Sequence, residues 1–253
     1  ELTVQRETIR ISSVRARMLE PGYAYLRISA FQADTADDFA RQIEKLQAQA
    51  GGTGKGLRGL VLDLRTNPGG LLTSAVQIAD DLLEKGGIVS TRGRNPVADA
   101  TFNATPGDRM RGAPVVVLVD AGSASASEVL AAALRDNKRA QIVGSRTFGK
   151  GVVQTVFPLD NGDAVKLTTA RYYTPSGKSI QARGIDPDVV LKPNATVKGV
   201  RGDISEATLP GHLRGDQETD AAGIGDVLEG DAPIAAALLV LKKQVALLIT
   251  DRR

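Results

Sequence analysis

Apolar and polar positions change their spacing along the chain, and each change marks an element. Residues 1–11, Glu-Leu-Thr-Val-Gln-Arg-Glu-Thr-Ile-Arg-Ile, alternate with the two-residue period of a strand, and Tyr23-Ala-Tyr-Leu-Arg-Ile28 predicts another. An amphipathic helix is predicted from Thr35 to Ala48. Two similar units follow. Gly59-Leu-Val-Leu-Asp-Leu-Arg65 reads as a buried strand, enters Asn67-Pro-Gly-Gly70 and continues into a helical pattern over residues 71–83. Pro114-Val-Val-Val-Leu-Val119 enters Asp120-Ala-Gly-Ser-Ala-Ser125 and then a helix from Ala126 to about Asn137. A strand, a glycine-containing loop and a helix, repeated, predict an α/β fold of parallel strands covered by helices, with functional groups on the strand-to-helix loops.

Beyond the second unit the pattern turns to short strands. Residues 140–143 and 151–157 read as strands, and Asp160-Asn-Gly-Asp163 signals a hairpin into a strand over residues 164–173. Residues 197–230 carry seven acidic and three basic side chains among many glycines and read as a loop or linker. Asp231-Ala-Pro-Ile234 starts an apolar helix over residues 235–249, and Lys242 and Lys243 interrupt it too early for a membrane span.

Composition narrows the function classes. The 253 residues are 42% hydrophobic, enough to bury one sizeable core. The net charge of +3 is dispersed, and aromatic residues make up only 4%, so nucleic acid is not an expected partner. With no cysteine, no disulfide holds the fold, and compartment cannot be read from redox chemistry. The sequence starts at Glu1 without an initiator methionine or signal segment and reads as an excised mature piece.

The chemistry concentrates in Gly122-Ser-Ala-Ser-Ala-Ser-Glu128 and Phe148-Gly-Lys-Gly151. A Ser-His-Asp scheme needs a positioned imidazole, but the sole histidine, His212, lies in the polar stretch Gly211-His-Leu-Arg-Gly-Asp216. Lysine is the alternative base, once burial disfavours its charged form, and Phe148, Val152 and Val153 offer apolar walls around Lys150. Gln154 is a neutral candidate to orient the amine, provided the chain bends at Gly151 to bring it back. The plainer reading of Ser125-x-x-Glu128 is a capping box, with Ser125 as N-cap and Glu128 three residues on. The same geometry also displays a serine at a helix tip, with the Ala126 N–H as an oxyanion donor and Gly69 and Gly70 nearby as further donors.

Gly144-Ser-Arg-Thr-Phe-Gly-Lys150 matches the start of a phosphate-binding P-loop. That motif needs Ser or Thr next, followed by a helix. Here Gly151 and a strand follow, so nucleotide binding is not expected.

Four blocks then carry a family resemblance: Asp63-Leu-Arg-Thr-Asn-Pro-Gly-Gly70; Gly122–Glu128; Thr147-Phe-Gly-Lys-Gly-Val-Val-Gln154; and Tyr172-Tyr-Thr-Pro-Ser-Gly-Lys-Ser-Ile-Gln181 with Gly184-Ile-Asp-Pro-Asp188. In this order they resemble the carboxyl-terminal processing peptidases, or tail-specific proteases. The resemblance implies a crotonase-like core with an added β-hairpin region and a C-terminal helix. It also implies a Ser125-Lys150-Gln154 catalytic set, and an oxyanion hole from the amides of Ala126 and the Gly69–Gly70 loop. It selects Ser125 over Ser123 and Ser127, which the residues alone leave open. No metal or cofactor is implied. The expected substrates are polypeptides with extended C-terminal tails, the expected location is the periplasm or cell envelope, and the expected assembly is a homo-oligomer through terminal segments, with an adaptor protein as a candidate partner. Members usually carry a PDZ domain just before the Glu1–Ile11 strand, and no segment here reads as one. The expected organisation is therefore a protease core over residues 1–195, a glycine-rich acidic linker over 196–230 and a C-terminal helix over 231–253. A catalytically silent peptide-binding scaffold is the rival reading, and a crotonase-type acyl-thioester enzyme would share the fold but has no use for a lysine at this loop.

Overall fold

A computed structural model describes residues 12–51, 56–192, 204–216, 218 and 223–250. The strand expected over residues 1–11 lies outside them. β1 (Val14–Glu20) pairs antiparallel with β2 (Tyr23–Ile28), and α1 (Thr35–Gly51) follows. β3 (Gly59–Asp63) runs parallel to β2 and leads into α2 (Leu72–Leu82). The chain then adds β4 (Gly87–Gly93) and β5 (Ala100–Asn103) before the second unit, β6 (Val115–Val119) and α3 (Ala126–Asp136). β7 (Ala140–Gly144), β8 (Val152–Pro158), β9 (Ala164–Tyr173), the short β10 (Val189–Val190) and α4 (Ala232–Thr250) complete it.

The strands form two sheets. A six-stranded sheet has the order β1-β2-β3-β6-β7-β10, parallel from β2 onward, and a four-stranded antiparallel sheet has the order β5-β4-β9-β8. Because successive strand residues face opposite sides, the central strands serve two cores. Leu60, Leu62, Val115 and Val117 join α1, α2 and α3 through residues such as Phe39, Ile43, Ile78 and Leu130. Val61, Val116 and Leu118 join Ile234, Ala237, Leu241 and Val245 of α4 on the other side. Every residue of β3 and β6 is buried, as an unbroken apolar run between two helical layers requires.

The mixed α/β architecture expected from the repeated units is the one found. α4 begins at Ala232, within the Asp231–Ile234 segment expected to start it, and covers the sheet face opposite the other helices. Among the described residues no helix is long and apolar enough to cross a membrane.

The acidic segment before α4, expected as a linker, is loop-like but does not span free of the core. Its Glu206 N–H donates to Phe148 O (3.0 Å), its Asp226 O accepts from Ala121 N (3.1 Å), and its Leu228 O accepts from the buried Arg65 guanidinium (2.8 Å). The described residues between 204 and 230 therefore form a strap across the loops at the sheet's C-terminal edge.

Candidate active site

β3 and β6 are parallel neighbours, so the loops that follow them leave the sheet side by side. Their polar side chains bind the loops to each other. Asp120 Oδ1 accepts from Thr66 N (2.8 Å) and Gly122 N (3.0 Å), and Ser123 Oγ donates to Leu64 O (2.8 Å). Asn67 O accepts from Ala124 N (2.9 Å) and Ser127 Oγ (2.9 Å), while Asn67 Nδ2 donates to Ile28 O (2.9 Å). Ser123 and Ser127 are fully buried with their hydroxyls engaged in these bonds. Ser125 is the serine of the three whose side chain makes no cap bond, and it stands at φ +56°. A non-glycine residue held there carries about 1–3 kcal/mol of strain, of the kind that clusters at functional sites.

The expected Ser125–Glu128 capping box organises this turn. The Ser125 N–H donates to Glu128 Oε2 (2.8 Å), but the Glu128 N–H donates to the Ser125 carbonyl oxygen (2.9 Å) rather than to its hydroxyl. The cap therefore fixes the turn and leaves Oγ available.

The Gly69–Gly70 loop packs directly on this turn. A Cβ added to Gly69 would stand 2.9 Å from Ser125 Cβ and 3.1 Å from Ala126 N, and Gly69 also has φ +101°, so only glycine fits without displacing the serine. The Gly69 N–H, expected among the oxyanion donors, is already committed to Asn67 Oδ1 (2.9 Å). The N–H groups of Gly70 and Ala126 have no acceptor among the described residues, so the expected donor set narrows to these two.

Lys150 arrives on the turn between β7 and β8. Phe148 N donates to Ser123 O (3.0 Å), Gly149 N to Glu128 Oε1 (2.7 Å) and Lys150 N to Glu128 Oε2 (2.9 Å). Two N–H groups on one oxygen put the backbone nitrogens of Ser125 and Lys150 within about 6 Å of each other. Gly151 is pinned by Gln181, whose Oε1 accepts from its N–H (2.9 Å), and a Cβ there would overlap Gln181 N at 2.2 Å. Gln181 is buried and its Nε2 donates to Glu206 Oε1 (2.9 Å) and Leu213 O (2.8 Å), so the strap supports the lysine turn from behind.

The structure brings together the loops of Ser125, Ala126, Gly69, Gly70 and Lys150, but no hydrogen bond joins Ser125 Oγ to Lys150 Nζ. Gln154 stands exposed on β8, just past a bulge at Val153/Gln154, and its side chain makes no hydrogen bond to Lys150. His212 lies on the strap. Its ring bonds to Glu218 (2.8 Å) and Leu209 O (3.1 Å), and the Glu218 carboxylate raises its pKa.

Glu128 is the residue whose reach the sequence understated. It is fully buried, accepts from Ser125 N, Gly149 N, Lys150 N and the Thr147 hydroxyl, and its carboxyl is pushed up to about 7 by burial, against the pull of these four donors. The Ser-x-x-Glu spacing was the available signal, but it points only to a helix cap. Among the described residues no group of three or more His, Asp or Glu side chains is gathered to hold a metal ion.

Residues 22–191 match the family model described as Peptidase family S41. A carboxy-terminal-processing protease of Bartonella bacilliformis is 45% identical over 222 residues, which cover 87% of this chain and 50% of that protein. A chloroplastic C-terminal processing peptidase of Tetradesmus obliquus is 39% identical over 213 residues, covering 80% and 44%. Among solved structures, the photosystem II D1 C-terminal processing protease is similar with a TM-score of 0.63 at 37% identity, over 74% of this chain and 50% of that one. The chain thus spans about half the length of the curated relatives it matches.

Proposed function

The chain belongs to peptidase family S41, and from that premise we propose that it is a serine endopeptidase in which Lys150 serves Ser125 as general base. The observation that carries this reading is the single unengaged serine hydroxyl of the Gly122–Glu128 loop, held on a strained helix tip whose backbone is bonded to the same carboxylate oxygen as the Lys150 amide.

Neutral Lys150 takes the Ser125 proton, and the serine oxygen attacks a peptide carbonyl. The Ala126 and Gly70 N–H groups receive the negative charge of the tetrahedral intermediate, with the dipole of α3 behind Ala126. Lys150 returns the proton to the leaving amine, and water then repeats the sequence on the acyl-enzyme. Gln154 orients the amine, which requires the exposed β8 edge near the bulge to rearrange when substrate docks. The missing Ser125 Oγ–Lys150 Nζ hydrogen bond accords with catalytic hydrogen bonds that tighten only in the substrate complex.

For substrates we propose polypeptides with extended, poorly structured C-terminal segments, in keeping with the names of the relatives, and for location the periplasm or cell envelope. Self-association through the terminal segments is supported by Leu239 and Leu247, which stand exposed on α4; an adaptor protein is a further candidate partner. The rival, a silent peptide-binding scaffold, is favoured by the missing Ser125–Lys150 hydrogen bond. Incubating the wild type, Ser125→Ala and Lys150→Ala with an unfolded protein decides between them. Cleavage by the wild type, lost in both variants, supports the dyad; cleavage retained in either variant rejects it, and binding without cleavage by the wild type favours the scaffold.

A further inference from the structure

One buried carboxylate is bonded to both turns of the proposed dyad. Glu128 Oε2 accepts from Ser125 N (2.8 Å) and Lys150 N (2.9 Å), and Oε1 accepts from Gly149 N (2.7 Å) and the Thr147 hydroxyl. A helix cap needs only the first of these bonds. The other three reach a turn some twenty residues away in sequence and contribute nothing to α3. No cation pairs with this carboxylate among the described residues, so its ionised form depends on these four donors in a dry setting, where an unsatisfied charge is costly. Thr147 extends the connection: its Oγ1 accepts from Ile185 N (2.7 Å), tying the lysine turn to the chain beyond β9.

Building on the Ser125–Lys150 reading, we propose that Glu128 is a positioning residue that sets the register between nucleophile and base, its Oε2 serving as the common anchor of both turns. The role demands two acceptor oxygens at this distance from α3. An amide in place of the carboxylate puts an NH2 against at least one backbone N–H: toward Oε1 it meets Gly149, and toward Oε2 it meets both Ser125 and Lys150. Aspartate keeps the charge but ends one methylene short of both turns. A side chain that merely filled space would tolerate glutamine without kinetic effect.

The test is steady-state cleavage of an unfolded protein by the wild type, Glu128→Gln and Glu128→Asp, with Ser125→Ala and Lys150→Ala alongside and thermal melts for each. We expect Glu128→Gln to melt cooperatively and to lose roughly 10–100-fold in kcat, the equivalent of one charge-assisted hydrogen bond, with KM held within about twofold. Glu128→Asp is expected to fall further. Wild-type kcat in Glu128→Gln, or an effect confined to KM, overturns the proposal while leaving the dyad intact. Full activity in Lys150→Ala instead overturns the dyad reading and the anchor with it. If Glu128→Gln does not fold, Thr147→Val decides, since it removes one donor from Oε1 and leaves the carboxylate in place. A several-fold loss of kcat at unchanged KM then supports the anchor, and wild-type kcat overturns it.

Discussion

Raising the pH from below 4.5 to above 7 is expected to destabilise the wild type relative to Glu128→Gln by roughly 3 kcal/mol. Burial lifts the Glu128 carboxyl from its ordinary 4.5 to about 7 in the folded chain. The folded state therefore binds this proton more tightly than the unfolded state, and its contribution to stability is complete below pH 4.5 and gone above about 7. At about 1.4 kcal/mol per pH unit, the interval amounts to roughly 3 kcal/mol. The four groups bonded to the carboxylate are three backbone amides and a threonine hydroxyl, none of which titrates in this window. Urea unfolding of both proteins at steps between pH 4 and pH 8 isolates the effect, because all other titrations are common to the pair and cancel in the difference. A stability difference that is flat across the window, or one that favours the wild type as pH rises, would refute the reasoning. Activity should move the opposite way: only the ionised carboxylate offers both oxygens as acceptors, so the wild-type kcat gains a rising limb near pH 7 that Glu128→Gln lacks. The residue thus trades stability for an aligned site.

Three further expectations rest on the same geometry. Gly69→Ala places a methyl against Ser125 Cβ and Ala126 N at a positive φ; displacing the nucleophile by a fraction of an ångström should lower kcat/KM by roughly 100-fold, with a melting temperature only a few degrees lower. Ser127→Ala removes a buried bond to Asn67 O and should cost about 1 kcal/mol in urea unfolding while leaving a folded, active enzyme, whereas Ser125→Ala should keep its stability and lose cleavage. Arg65→Met leaves the buried Asp63 with Arg27, Tyr25 and the backbone N–H of residue 65 as partners and frees the carbonyls of Leu228 and Gly230; we expect a loss of about 3–5 kcal/mol and faster proteolysis within residues 223–231.

What could be read beforehand, and what could not, follows from the range of the interactions. Buried runs such as Val115–Val119 and the glycine loops after them are local patterns, so the repeated units and the positions of Ser125 and Lys150 on loops were visible in residue order. β4 and β5 escaped notice because each is partly exposed and becomes a strand only by pairing with distant β9 or with its neighbour. The strap looked like a linker because its hold on the core runs through backbone atoms, as at Glu206 N and Leu228 O, which composition does not reveal. The Gly69 amide was an expected donor, but Asn67 folds back on it, a contact set by loop conformation rather than by spacing. Glu128 was legible as a cap, yet three of its four bonds depend on where the lysine turn lands.

The most direct test of the central claim is the rate at which a fluorophosphonate probe labels the protein, with the modified peptide located by mass spectrometry, in the wild type and in Lys150→Ala. The account predicts labelling on Ser125 alone and a rate reduced by roughly 100-fold or more without the lysine. Labelling of Ser125 at an undiminished rate in Lys150→Ala, or of another serine in the wild type, would contradict it.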